Sequence, residues 1–173
     1  MLARGRERPN AGRIIPPMPL GAGRAILYGG LVVGILDLVD AFIFFGVRSG
    51  AQPMGILHSI AAGFIGRDAA RAGGVPTAVL GFVSHFLVAF SIVTVYVLLS
   101  RAIPALRKQW VVCGIVFGIA AYFVMTWLVV PMSNAGNQQI TFALPATPVM
   151  TNGILIHMFG VGLPAAFFAS RVR

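Results

Sequence analysis

Acidic residues are nearly missing from this chain: 4 Asp and Glu against 13 Lys and Arg in 173 residues, for a formal net charge of +9. Charged residues of both signs are 10% of the sequence, the hydrophobic share is 58%, and the mean hydropathy is +0.90. A water-soluble domain of this length needs far more charge on its surface, so the composition points to one membrane-embedded domain. Cysteine is down to Cys113 alone, inside an apolar run, which excludes a disulfide framework and any CxxC metal motif. There is no P-loop, no dinucleotide fingerprint, no HExxH and no GxSxG, and no catalytic residue is assigned. The glycines of GAGRAILYGG open an apolar helix and follow no strand, so they are not a nucleotide site. The basic residues flank apolar runs without interleaved aromatics, which argues against nucleic acid as a partner. No repeat with paired broken helices, as in many secondary transporters, is visible.

What is present is four apolar runs, each long enough to cross a bilayer as a helix: Ala25–Phe45, Pro76–Ser100, Gln109–Val130 and Val149–Ala169. The expected fold is therefore all-α, an integral membrane four-helix bundle within 25–173. Residues 1–24 read as a basic, partly disordered cytoplasmic arm with no cleavable signal peptide. Cytoplasmic loops collect Lys and Arg. With the N-terminus inside, Arg4, Arg6, Arg8, Arg13, Arg24, Arg101, Arg107, Lys108, Arg171 and Arg173 fall inside, and only Arg48, Arg67 and Arg71 outside, which favours both termini in the cytoplasm.

Two outer connections remain. PMGILHSIAAGFIGRDAARAGG contains an apolar stretch too short to span, so residues 53–72 read as an interfacial or re-entrant helix released by Gly73 and Gly74. Arg67 and Asp68 read as solvated or headgroup-facing. PMSNAGNQQITFALPATP carries no charge and reads as a cap over the bundle. Trp110 suits the inner aromatic belt and Trp127 the outer. Stripes of small residues mark the expected inward faces: Gly30, Gly34, Asp37 and Ala41; Thr77, Gly81, Ser84 and Ser91; Gly114, Gly118 and Ala121; Gly153, His157, Gly160 and Pro164. Gly114 and Gly118 form a GxxxG match, and Pro164 is expected to kink the last helix.

Within the first run, GILDLVDAFIFF holds Asp37 and Asp40. An aspartate near a helix centre costs roughly 2.5–3.5 kcal/mol on insertion, against roughly 0.3–0.6 returned by each large aliphatic residue or Phe, so both should face the bundle. Spaced i, i+3, they share one face. Counting from the outer ends of the spans, Asp37 lies about 12 Å deep, His85 about 13 Å and His157 about 12 Å. Tyr122 falls near that level, while Asp40, Thr126, Trp127 and Asn152 lie nearer the outer surface. The expected polar layer is thus Asp37, Asp40, His85, Tyr122 and His157, with His58 joining if its segment is re-entrant.

A carboxylate and imidazoles in a poorly hydrated bundle suit a proton relay or proton- and cation-coupled pathway. The same groups, Asp37, His85 and His157, are candidate ligands for zinc, iron, nickel or copper, and His85 with His157 could be axial ligands of a haem. Interhelical hydrogen bonding that only fixes packing stands beside these readings. So does a role as accessory or assembly subunit of a larger membrane complex, and homo-oligomerisation suits so small a bundle.

The stretches GILDLVDAFIFFG, ILHSIAAGFIGRDA with LGFVSHFLVAFSIVTVYVLLSR, and CGIVFGIAAYFVMTWLVVPMS together resemble a family of small four-span bacterial inner-membrane proteins. The likeness covers about Ile26 to Arg171. A histidine in the second span and one early in the last are also similar to the layout of YagU-like inner-membrane proteins, which are linked with acid tolerance. The resemblance implies the four-span fold and the bacterial inner membrane; it supplies no reaction and no role for Asp37 or Asp40.

Overall fold

The computed structural model describes residues 20–136, 138–140 and 142–172. The basic arm up to Pro19, with Arg4, Arg6, Arg8 and Arg13, and the terminal Arg173 lie outside the described residues. The chain forms α1 (Ala22–Ser49), α2 (Pro53–Ile65), α3 (Arg67–Ala72), α4 (Gly74–Ala102), α5 (Ala105–Lys108), α6 (Trp110–Met132) and α7 (Thr147–Ser170). Four of these, α1, α4, α6 and α7, are long and apolar enough to cross a membrane. Their ends differ from the expected spans by four residues at most, at Ser49 against Phe45.

The bundle is organised around α7, which packs against α1, α4 and α6, while α1 also packs along α4. Its apolar core is built of Val33, Val93, Tyr96, Val97, Val161, Ala165, Ala166 and Ala169, all fully or almost fully buried. Close helix approach is what small residues permit. At Gly34 and Gly30 of α1 a side chain would overlap the Phe86 and Phe90 rings of α4. The GxxxG pair proves to be a backbone seat: a Cβ on Gly118 would run into the carbonyl of His157, and one on Gly114 would meet Ala166 and the Gly162 carbonyl. The stripes therefore mark packed faces, with one correction. Ser91 is exposed; its hydroxyl donates to the Leu87 carbonyl one turn back at 2.8 Å, so it needs no partner across the bundle.

Two long helices are locally widened. Met125–Val129 of α6 and His157–Gly162 of α7 are π-helical, with Val130 N–H reaching back to Met125 O and Leu163 N–H to Met158 O. Each stretch ends two residues before a proline, Pro131 and Pro164. A helix-interior proline lacks an N–H and crowds the carbonyl four residues earlier. Shifting the preceding bonds to i→i+5 relieves that crowding. The expected disturbance at Pro164 thus takes the form of a π stretch inside a continuous helix.

At one end, Leu20 N–H donates to Arg171 O at 2.9 Å and Arg107 Nη1 to Val172 O at 3.1 Å, gathering the start of α1, the α4–α6 junction and the end of α7. At the other end the connections interlock. The expected single helix over 53–72 is two pieces, because Gly66 adopts φ 82° and breaks it. The Asn134 backbone N–H donates to Gly63 O at 3.0 Å and its Nδ2 to Phe64 O at 2.6 Å, supplying partners to carbonyls at the end of α2. Arg67 Nε donates to Ala135 O at 2.9 Å, and Trp127 Nε1 to Ala143 O at 3.2 Å. The uncharged loop is therefore fastened to the α2–α3 corner and to Trp127. Arg67 is a tether between the α2–α3 corner and the α6–α7 loop, a role beyond the solvated position expected for it.

Gly118→Ala is expected to push α7 off α6 and cost about 1–3 kcal/mol. Gly55→Ala, where a Cβ meets nothing within 4 Å, should instead stabilise by about 0.4–1 kcal/mol. Thermal midpoints of the two purified variants check this; equal midpoints would contradict the packing described.

Candidate functional site

The polar residues expected in one layer come from four helices, α1, α4, α6 and α7, and a backbone carbonyl orients each of the two histidines. Gly34 has no side chain, so α4 comes close enough for His85 Nε2 to lie 2.9 Å from the Gly34 carbonyl. A carbonyl only accepts, so the Nε2 carries the proton and Nδ1 of a neutral imidazole is left with its lone pair. That Nδ1 lies 4.0 Å from Oδ2 of Asp37, one turn further along α1. The His85 side chain is 12% exposed and Asp37 29%.

On α7, His157 opens the π stretch and its Nδ1–H donates to the Gly153 carbonyl at 2.9 Å, leaving Nε2 as the free acceptor. The ring stands edge-on to Tyr122 of α6 at 5.4 Å between centroids. Tyr122 is 6% exposed and packs on Gly153, where a Cβ would overlap its ring. Its buried hydroxyl has no hydrogen-bond partner among the described residues. Asp40 Oδ2 accepts from Asn152 Nδ2 at 2.7 Å, tying α1 to α7. His157 lies within electrostatic reach of both Asp37 and Asp40.

The structure thus brings together Asp37 with His85, Asp40 with Asn152, and Tyr122 with His157 in one neighbourhood. It does not bring in His58, whose Nε2–H donates to Gly74 O at 2.8 Å and ties α2 to the start of α4. Nor do Asp37, His85 and His157 close into a ligand set: among the described residues no group of three or more His, Cys, Asp or Glu could hold a metal ion. Asn152 is the member that sequence reasoning left outside the site. Its estimated depth, close to that of Asp40, was the available signal.

The layer has a mouth at the Asp40 end. An open groove of about 550 Å³ is lined by Asp40, Ile43, Phe44, Val47, Arg48 and Asn152. In the opposite direction the layer meets Val33, Val93, Val97 and Val161, which are 0–1% exposed.

The chain matches no family model, no curated protein and no solved structure.

A buried hydroxyl without a partner costs about 1–3 kcal/mol. Tyr122→Phe should keep the thermal midpoint or raise it by up to that order, whereas Asn152→Leu, which strips Asp40 of its donor, should lower it. A large loss of stability in Tyr122→Phe would show that the hydroxyl is bonded in the folded protein.

Proposed function

We propose that this is a proton-handling, multi-pass protein of the bacterial inner membrane, with Asp37 and His85 as its working pair. The carrying observation is the 2.9 Å contact of His85 Nε2 with the Gly34 carbonyl, from which the tautomer follows. With Nε2–H committed to Gly34 O, the basic Nδ1 and the carboxylate of Asp37 face each other with lone pairs at 4.0 Å. That arrangement takes up one proton readily: on Nδ1 it yields an imidazolium–carboxylate pair, and on Asp37 it yields an O–H directed at the imidazole. Intramembrane ionisable residues in such pairings are characteristic of proton relays.

Membrane insertion is supported by the four long apolar helices. The clustering of Arg24, Arg101, Arg107, Lys108 and Arg171 at the end opposite Arg48, Arg67 and Arg71 supports both termini inside. In that orientation the groove opens outward and Asp40 with Asn152 lies between it and Asp37. The valine-rich core seals the inner side, so the pair loads from outside, and passage across requires a second conformation that parts α1, α4 and α7. The likeness to small four-span bacterial inner-membrane proteins supports the compartment and leaves the reaction open.

In liposomes carrying an internal pH dye, Asp37→Asn should reduce proton flux at least about tenfold, the loss expected when a positioned proton-transfer group is removed. The variant should remain inserted and folded by circular dichroism. Undiminished flux in a folded Asp37→Asn protein would overturn the relay.

A further inference from the structure

Along α1, the face that lines the groove reads acid, apolar, base: Asp40 at the floor, Ile43, Phe44 and Val47 along the wall, Arg48 at the rim. Asn152 occupies Oδ2 of Asp40, and a carboxylate keeps further acceptor capacity once one oxygen is bonded. Asp40 and Arg48 line the same cavity yet form no ion pair; the one ion pair among the described residues is His85 with Asp37. Arg48 also lies in the last turn of α1, where a cation complements the helix dipole, and Asp40 has a packing role through Asn152. Neither role requires opposite charges at the two ends of one cavity with an apolar wall between them.

We propose that this groove is a binding site for an elongated zwitterion: an ammonium at Asp40, an apolar stem along Ile43, Phe44 and Val47, and a carboxylate or phosphate at Arg48. Eight residues of helix set the Cα atoms of Asp40 and Arg48 about 12 Å apart along α1, so the two charged ends of the site stand about two turns apart. That spacing fits an ω-amino acid. It is too long for an α-amino acid and for a phosphoethanolamine lipid headgroup, whose charges stand closer together. The groove volume of about 550 Å³ falls in the range of small-molecule sites, about 300–1,000 Å³. Arg supplies a planar fork suited to an anionic oxygen pair at the rim. The site shares the outer mouth of the proposed proton layer, but its occupancy does not depend on proton transfer at Asp37.

Calorimetric titration of the full chain in detergent, with 6-aminohexanoate, hexylamine, hexanoate, glycine and O-phosphoethanolamine as probes, tests this. 6-Aminohexanoate should bind about tenfold tighter than hexylamine or hexanoate, as expected for one additional charged hydrogen bond, and glycine should not compete. Arg48→Gln should reduce 6-aminohexanoate to the level of hexylamine, and Asp40→Asn should reduce it to the level of hexanoate. Arg48 is exposed at the end of α1, so its variant keeps the test decisive if Asp40→Asn fails to fold. Asp37→Asn should bind 6-aminohexanoate like wild type, which separates this result from the fate of the proton relay. Equal affinities for the three hexyl probes, or an advantage that survives in Arg48→Gln, would overturn the proposal. Tighter binding of O-phosphoethanolamine would assign the groove to a lipid headgroup and overturn it as well.

Discussion

The hydrogen bond from His85 to the carbonyl of Gly34 is the contact on which the polar layer depends. It exists because Gly34 carries no side chain and lets α4 approach, with Phe86 and Phe90 filling the space beside Gly34 and Gly30. It fixes which imidazole nitrogen holds the proton, and so which one is left to face Asp37. His157 repeats the device with its other nitrogen, donating Nδ1–H to Gly153 and keeping Nε2 free. Two backbone carbonyls thus turn two neutral imidazoles into oriented bases. The surrounding layer holds the Asp37 and Asp40 carboxylates beside these imidazoles, the composition that the proposed proton-handling role requires.

The π stretches show how backbone and site are joined. α7 must run past Pro164 and still seat its backbone against Gly114 and Gly118. Widening the helix over His157–Gly162 achieves both. It also places the His157 carbonyl on the glycine groove of α6 and turns the imidazole toward Tyr122. In α6 the stretch Met125–Val129 carries Trp127, which anchors the uncharged loop through Ala143 and stacks edge-on against Phe142. Proline, glycine and the ionisable residues act together here.

Much of this was legible in the sequence because hydropathy and helical rise act along a single chain. The four long helices follow from the apolar runs, and the common depth of Asp37, His85 and His157 follows from counting residues at about 1.5 Å each. The rotational register between helices is not written that way. The sequence therefore did not reveal that His85 bonds Gly34, that Asn152 is the partner of Asp40, or that His58 serves the α2–α4 corner. The break at Gly66 was hidden for a related reason: a glycine at positive φ interrupts a helix only where tertiary contacts, here Arg67 and Asn134 binding across the two connections, hold the bend. Ser91 misled because an exposed serine that bonds its own helix has the same sequence signature as one that packs inward.

The most direct measurement is the protonation of His85 itself, by nitrogen NMR on full-length protein labelled at histidine, in wild type and Asp37→Asn across a pH series. The account predicts that the neutral imidazole of His85 carries its proton on Nε2, with Nδ1 unprotonated, and that the Nδ1 resonance changes when Asp37 is replaced. A neutral His85 protonated at Nδ1, or an Nδ1 resonance indifferent to Asp37, would contradict it.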